Sequence, residues 1–168
     1  MEGGAMNGYT ITTEPGVITR YALHYNGKHV FSGPDRAAVE AMRDQSEAAR
    51  AYCDDDFCIA YVEAIYFTEA GEDSEIDPET PLSESSRESI REDCETFQRD
   101  HAALLAQAYA VDGYTPAQAG HDYWLTRNGH GAGFWDRGLG AVGEALSRAA
   151  RDAGSVDVYQ NDAGELEA

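Results

Sequence analysis

The sequence is almost without lysine. Lys28 is the only one, and with eleven arginines the basic total is 12 against 31 acidic residues, a formal net charge of -19. A chain so acidic repels phosphate backbones and anionic lipid, so neither nucleic acid nor a membrane surface is expected as a direct partner. The charge suits a soluble protein, or one that binds a basic surface on another protein. No apolar run approaches the roughly 18 residues of a membrane span. The first residues, MEGGAMNGYTITTE, lack the basic and apolar regions of a signal peptide. Cysteine is scarce too. Cys53, Cys58 and Cys94 include no CxxC pair, and the step from Cys53 to Cys58 is a poor zinc signature. Three reduced, buried cysteines in a cytoplasmic protein are the expectation.

What is present can build a core. Of 168 residues, 42% are hydrophobic, enough for one domain or a core with an appended subdomain. Val17, Thr19, Tyr21 and Leu23 alternate, and YNGK at 25–28 is a two-residue hairpin signal. HVFS supplies the second arm. GPDRAAVEAMRDQSEAARAY predicts a helix with Pro34 in its first turn and Ala38, Met42 and Ala49 on one face. FCIAYVEAIYFTE at 57–69 is rich in β-formers and predicts a strand returning to the hairpin. Residues 1–69 thus read as a ββαβ unit, and 70–83 as an acidic linker with two prolines.

Residues 84–168 read as a helical unit closed by a short strand and an acidic tail, so the fold class expected is α+β. A long helix starts near Ser85, whose spacing to Glu88 suggests a capping box. Its buried stripe is Ile90, Cys94, Phe97, His101, Leu104 and Ala108. Thr115, Pro116 and Gln118 open the next helix, and Asn128-Gly129 closes it. The last helix carries Leu139, Val142, Leu146 and Ala150 on one face and stops at Gly154.

Both tryptophans fall in HDYWLTRNGHGAGFWDRG, residues 121–138, with His121, His130, Arg127 and Arg137. One reading is a rigid corner between helices. Phe134 and Trp135 would plug the core, while Asp122, Arg127, Asp136 and Arg137 tie the loop by charge-assisted hydrogen bonds. The sharper reading is a site. His121, Asp122, Arg127, Asn128, His130 and Asp136 form a candidate functional loop, and the imidazoles and carboxylates could hold a metal or move protons. Their spacing matches neither HExxH nor a cysteine–histidine finger, and no nucleophile triad order occurs. The GxG pairs at 129–133 lack the strand-then-helix context of a phosphate loop. No catalytic residue, metal or cofactor is assigned.

AGHDYWLTRNGHGAGFWDRGLG followed by LSRAARDAGSVDVYQNDAG resembles the C-terminal part of small phage and prophage proteins. These have a near-identical histidine–aspartate–aromatic–WLTRNGHGAGFWDR block. The resemblance covers about residues 84–165. It implies a phage context and expression in the bacterial cytoplasm, and it brings no catalytic role to any residue of the loop.

Carboxylates are densest over residues 69–100, with a second group at Asp54, Asp55 and Asp56. On a helix, acids three or four residues apart stand roughly 4.5–6 Å apart along the axis. That is comparable with the spacing of DNA backbone charges. Glu88, Glu92 and Glu95, with Asp54–Asp56, are therefore the candidate partner-binding residues. The function expected is a phage-encoded inhibitor of a host nucleic-acid-binding defence complex, of the anti-CRISPR or anti-restriction kind, whose carboxylates mimic DNA. The alternative is a small phage enzyme or metal-binding protein using His121, Asp122, His130 and Asp136.

Overall fold

The computed structural model describes residues 8–14, 20–70, 74 and 76–168. Val17 and Thr19 lie outside the described residues. The fold is α+β, with strands first, then helices, then short strands. The chain divides into two compact units, Met1–Ala48 and Ala49–Ala168.

In the first unit, β1 (Tyr9–Glu14), β2 (Arg20–Tyr25) and β3 (Lys28–Gly33) form an antiparallel sheet in that order. Asn26 and Gly27 turn β2 into β3 with φ of 48° and 79°. Two positive values are what a type I′ hairpin requires, so the YNGK expectation holds. Helix α1 (Arg36–Ala49) begins where Asp35 Oδ1 accepts from Ala37 N at 2.9 Å. Val39 and Met42 pack on Tyr9 and Leu23. The buried face runs through Val39, Met42 and Ser46, and the expected Ala38 is exposed.

The expected return strand at 57–69 is a helix, α2 (Asp56–Glu69). Phe57 to Val62 and Ala64 to Tyr66 are all buried. A segment surrounded by protein loses the one-sided pattern that separates helix from strand, so β-propensity alone pointed the other way. Its start is set locally: Asp55 caps it, accepting from Cys58 N at 2.8 Å. The same turn brings Cys53 and Cys58 together with Cα atoms 5.5 Å apart, and the two are joined in a disulfide. This corrects the expectation of three reduced thiols. Cys94 is free and buried, and burial pushes its thiol up.

Helix α3 (Glu84–Asp100) is capped by Ser83, two residues before the expected cap. It ends at His101, where a new helix, α4 (Ala102–Tyr109), begins. The expected single stripe is therefore broken: Ile90, Cys94 and Phe97 are buried from α3, and Leu105 and Ala108 from α4. Helix α5 (Pro116–Arg127) has the expected Thr115–Gln118 capping box and closes at Asn128. It lies against α2 so closely that a Cβ on Gly120 would sit 1.9 Å from Phe57 O. Helix α6 (Ala141–Asp152) buries Gly143, Leu146, Ser147 and Ala150.

Strands β4 (Tyr159–Gln160) and β5 (Leu166–Glu167) pair antiparallel. The last residues are not a loose tail. Leu166 is buried, and its backbone bonds to Pro81 O at 2.8 Å and from Ser83 N at 2.9 Å. Glu167 Oε2 accepts from Ser83 Oγ at 2.8 Å and Ser86 Oγ at 2.9 Å, at the N-terminus of α3. A helix start offers free N–H groups and a positive dipole end, which favours a carboxylate there. Among the described residues no helix is long and apolar enough to cross a membrane.

Candidate functional site

The sequence placed two candidates, the loop around 121–137 and the acidic surface. Of the loop's charged groups, Asp122 and Arg127 are buried, while Asp136 and Arg137 stay exposed. Asp122 is fully buried on α5. Its Oδ2 accepts from Tyr114 Oη at 2.9 Å, and its Oδ1 from Arg137 Nη2 at 2.7 Å and Nε at 2.9 Å. The bond to Asp122 raises the Arg137 pKa above its usual value despite partial burial. Burial, with the Asp122 charge beside it, pushes the Tyr114 phenol well up.

Arg127 is the second tie. Nε donates to Gly154 O at 2.7 Å and Nη2 to Ala153 O at 3.1 Å, so it closes the C-terminal end of α6. Cationic groups are favoured at that end. Nη1 reaches Tyr61 Oη at 2.9 Å and the carboxylate of Asp93. The guanidinium carbon lies 4.9 Å from the Tyr123 ring centroid. One side chain thus joins α2, α3, α5 and α6. Burial opposes its charge, but Tyr61, Tyr123 and Asp93 hold its pKa raised.

Asn128 and Asp136 are also engaged by backbone N–H groups. Asn128 Oδ1 accepts from Val156 N at 2.8 Å. Asp136 Oδ1 accepts from Gly133 N at 3.1 Å. Phe134 N donates to Thr126 Oγ1 at 3.1 Å, and a Cβ on Gly133 would stand 2.1 Å from that oxygen. Glycine is therefore needed for this close approach. His121 packs on Phe67 with ring centroids 5.9 Å apart, and burial lowers its pKa. His130 Nε2 stands 3.4 Å from Glu69 Oε1 without hydrogen-bond geometry. Among the described residues no three metal-ligating side chains gather, so His121, Asp122, His130 and Asp136 do not make one metal site.

The tryptophans differ from expectation in one respect. Trp124 and Phe134 are fully buried, and Trp124 Nε1 donates to Thr68 Oγ1 at 2.8 Å. Trp135, expected to be a core plug, is 51% exposed. The short 3-10 turn at Phe134–Asp136 sends adjacent side chains in different directions, and Phe134 takes the inward place.

The acidic candidates sit on the outside. Glu88, Glu92 and Glu95 are exposed on α3, away from Ile90, Cys94 and Phe97. Arg91 stands 3.6 Å from Glu95, an exposed i,i+4 pair. Asp54, Asp55 and Asp56 are exposed before and at the start of α2. Asp55 Oδ2 also accepts from Gln98 Nε2 at 2.9 Å, which links the aspartate group to α3. Asp56 is 3.7 Å from Arg50. Sequence reading missed Tyr61, Asp93, Tyr114 and Glu167 as partners in these networks. No local pattern marks them: the partners of Tyr61, Asp93 and Glu167 are distant along the chain, and Tyr114 meets Asp122 across the turn that opens α5. Comparison with protein-family models, with curated proteins and with solved structures found no match to this chain.

Proposed function

We propose that the protein is an acidic inhibitor that docks on the cationic groove of a nucleic-acid-binding protein. In its finer form, it is a phage-encoded block of a host defence complex. The observation that carries this reading is the exposure of Glu88, Glu92 and Glu95 on an ordered helix in a chain of net charge -19. Charges fixed on a helix need no ordering when they bind, whereas a flexible segment loses about 1–2 kcal/mol of backbone entropy per residue. Asp54, Asp55 and Asp56 extend the surface, since Asp55 is hydrogen-bonded to α3 through Gln98. The loop's carboxylates are bound within the protein, which favours recognition by the acidic surface over chemistry at the loop.

The test has two arms. Affinity capture from a bacterial host should recover a nucleic-acid-binding protein, and purified partner should lose DNA binding as this protein is added. The protein alone should not bind duplex DNA at low salt. Tight DNA binding, or a recovered partner whose DNA binding is unaffected, would overturn the reading.

A further inference from the structure

A cleft of about 360 Å³ opens between α3 and the residues that follow α6. Ser89, Glu92, Asp93 and Thr96 line one side of it. Their spacing of three, four and seven residues places them on one helical face. Tyr61, Ile90, Arg127, Val156 and Ala168 complete its lining.

The charges on this cleft are unequal in what they have left to offer. Four bonds occupy Arg127: to Asp93, to Tyr61 and to the two carbonyls that end α6. Its charge is balanced by Asp93 and by the negative end of the helix dipole. Asp93 Oδ1 has only a long contact, 3.3 Å from Tyr123 Oη. Glu92 is exposed and has no hydrogen-bond or ion-pair partner among the described residues. The cleft therefore presents one free carboxylate, one partly free carboxylate oxygen and the hydroxyls of Ser89 and Thr96, with an apolar wall at Val156. These are acceptors around an apolar passage, and they suit a planar cation on an aliphatic stem.

We infer that this cleft binds an arginine side chain of the partner, with the guanidinium between Glu92 and Asp93 and the stem against Val156. The inference rests on the proposed docking to a basic surface and names the element that anchors it. An anion is the wrong occupant, because four of the five N–H donors of Arg127 are turned to protein acceptors and carboxylates line the cleft. A lysine ammonium could meet one carboxylate but cannot span two acceptors with a rigid fork.

Backbone amide NMR of the full chain, titrated with N-acetyl-arginine amide, tests this directly. N-acetyl-lysine amide and inorganic phosphate serve as comparison probes. The arginine probe should shift Ser89, Glu92, Asp93, Thr96 and Val156, and more strongly than the lysine probe. Glu92→Gln should weaken it about fivefold, as for one rim ion pair. Ser89→Arg, which places a resident guanidinium at the mouth, should abolish the response while the melting temperature is kept. Shifts spread evenly over the acidic surface, equal shifts with lysine, or a response to phosphate alone would overturn the inference. The two proposals fail separately. If the arginine probe seats in the cleft but no basic partner is found, the cleft stands and the inhibitor reading falls. If a basic partner binds with undiminished affinity to Ser89→Arg, the cleft is overturned and the wider surface remains.

Discussion

Arg137 holds the fully buried carboxylate of Asp122 with two nitrogens, Nη2 at 2.7 Å and Nε at 2.9 Å from Oδ1. The contact fixes the loop after α5 to the helix itself. Removing the guanidinium leaves Asp122 in the core with Tyr114 as its one remaining side-chain partner among the described residues. Arg137→Ala should cost about 3 kcal/mol, the lower end for breaking a buried pair, because Arg137 is itself partly exposed. Arg137→Lys should lose less, since it keeps the charge but not the two-nitrogen grip. Urea unfolding of the three proteins gives the comparison, and equal stability would show the pair to be dispensable.

The aromatic residues of the loop should separate by burial. Trp124→Ala or Phe134→Ala removes a fully buried ring and should cost about 3–5 kcal/mol. Trp135→Ala, on a half-exposed ring, should stay within about 1 kcal/mol. Thermal melts measure this, and a large loss at Trp135 would contradict the placement of its ring.

At Gly120 the backbone of α5 packs directly on the backbone of α2 at Phe57. Any Cβ there would strike Phe57 O at 1.9 Å, and a backbone atom cannot turn aside as a flexible side chain can. Gly120→Ala should cost about 3 kcal/mol, as overpacking does. A neutral substitution, read by denaturant midpoint, would mean that the helices can part without loss.

Two groups should give the stability a stepped dependence on acid. Burial lowers the His121 pKa, so the unfolded chain takes up a proton there first. Its contribution is whole above about 6.5, the unfolded value, and is lost as pH falls from there toward the folded value. Asn161, Ser83 and Ser86 lower the Glu167 pKa by hydrogen bonds. That contribution is present above about 4.3 and lost as pH falls through the depressed folded value. His121→Phe should flatten the first step and Glu167→Gln the second, in unfolding titrations between neutral and acid pH. Variants with curves parallel to the parent would reject the assignment.

How much of this could be read from residues varies with how local the cause was. The Asn26-Gly27 hairpin and the Thr115–Gln118 cap were legible, because each is decided within a few residues. Helix α2 was not. Its nearly continuous burial erased the period, and only the long run and the Asp55 cap spoke for a helix. The tie of Asp122 to Arg137 was expected in kind, since opposite charges cluster in the loop. Nothing local showed that Arg127 would reach Tyr61 across 66 residues, or that Glu167 would reach Ser86 across 81. The exposed face of α3 followed from the helical period, so Glu88, Glu92 and Glu95 were placed outward from sequence alone.

The proposed docking requires that ordered carboxylates on α3 carry binding. The direct measurement is partner affinity at several salt concentrations for the parent and for the triple variant Glu88→Lys, Glu92→Lys and Glu95→Lys, with circular dichroism to show that the helix persists. The expected result is a folded variant with weaker binding and a flatter dependence on salt. A folded variant with the parent's affinity and salt slope would contradict it.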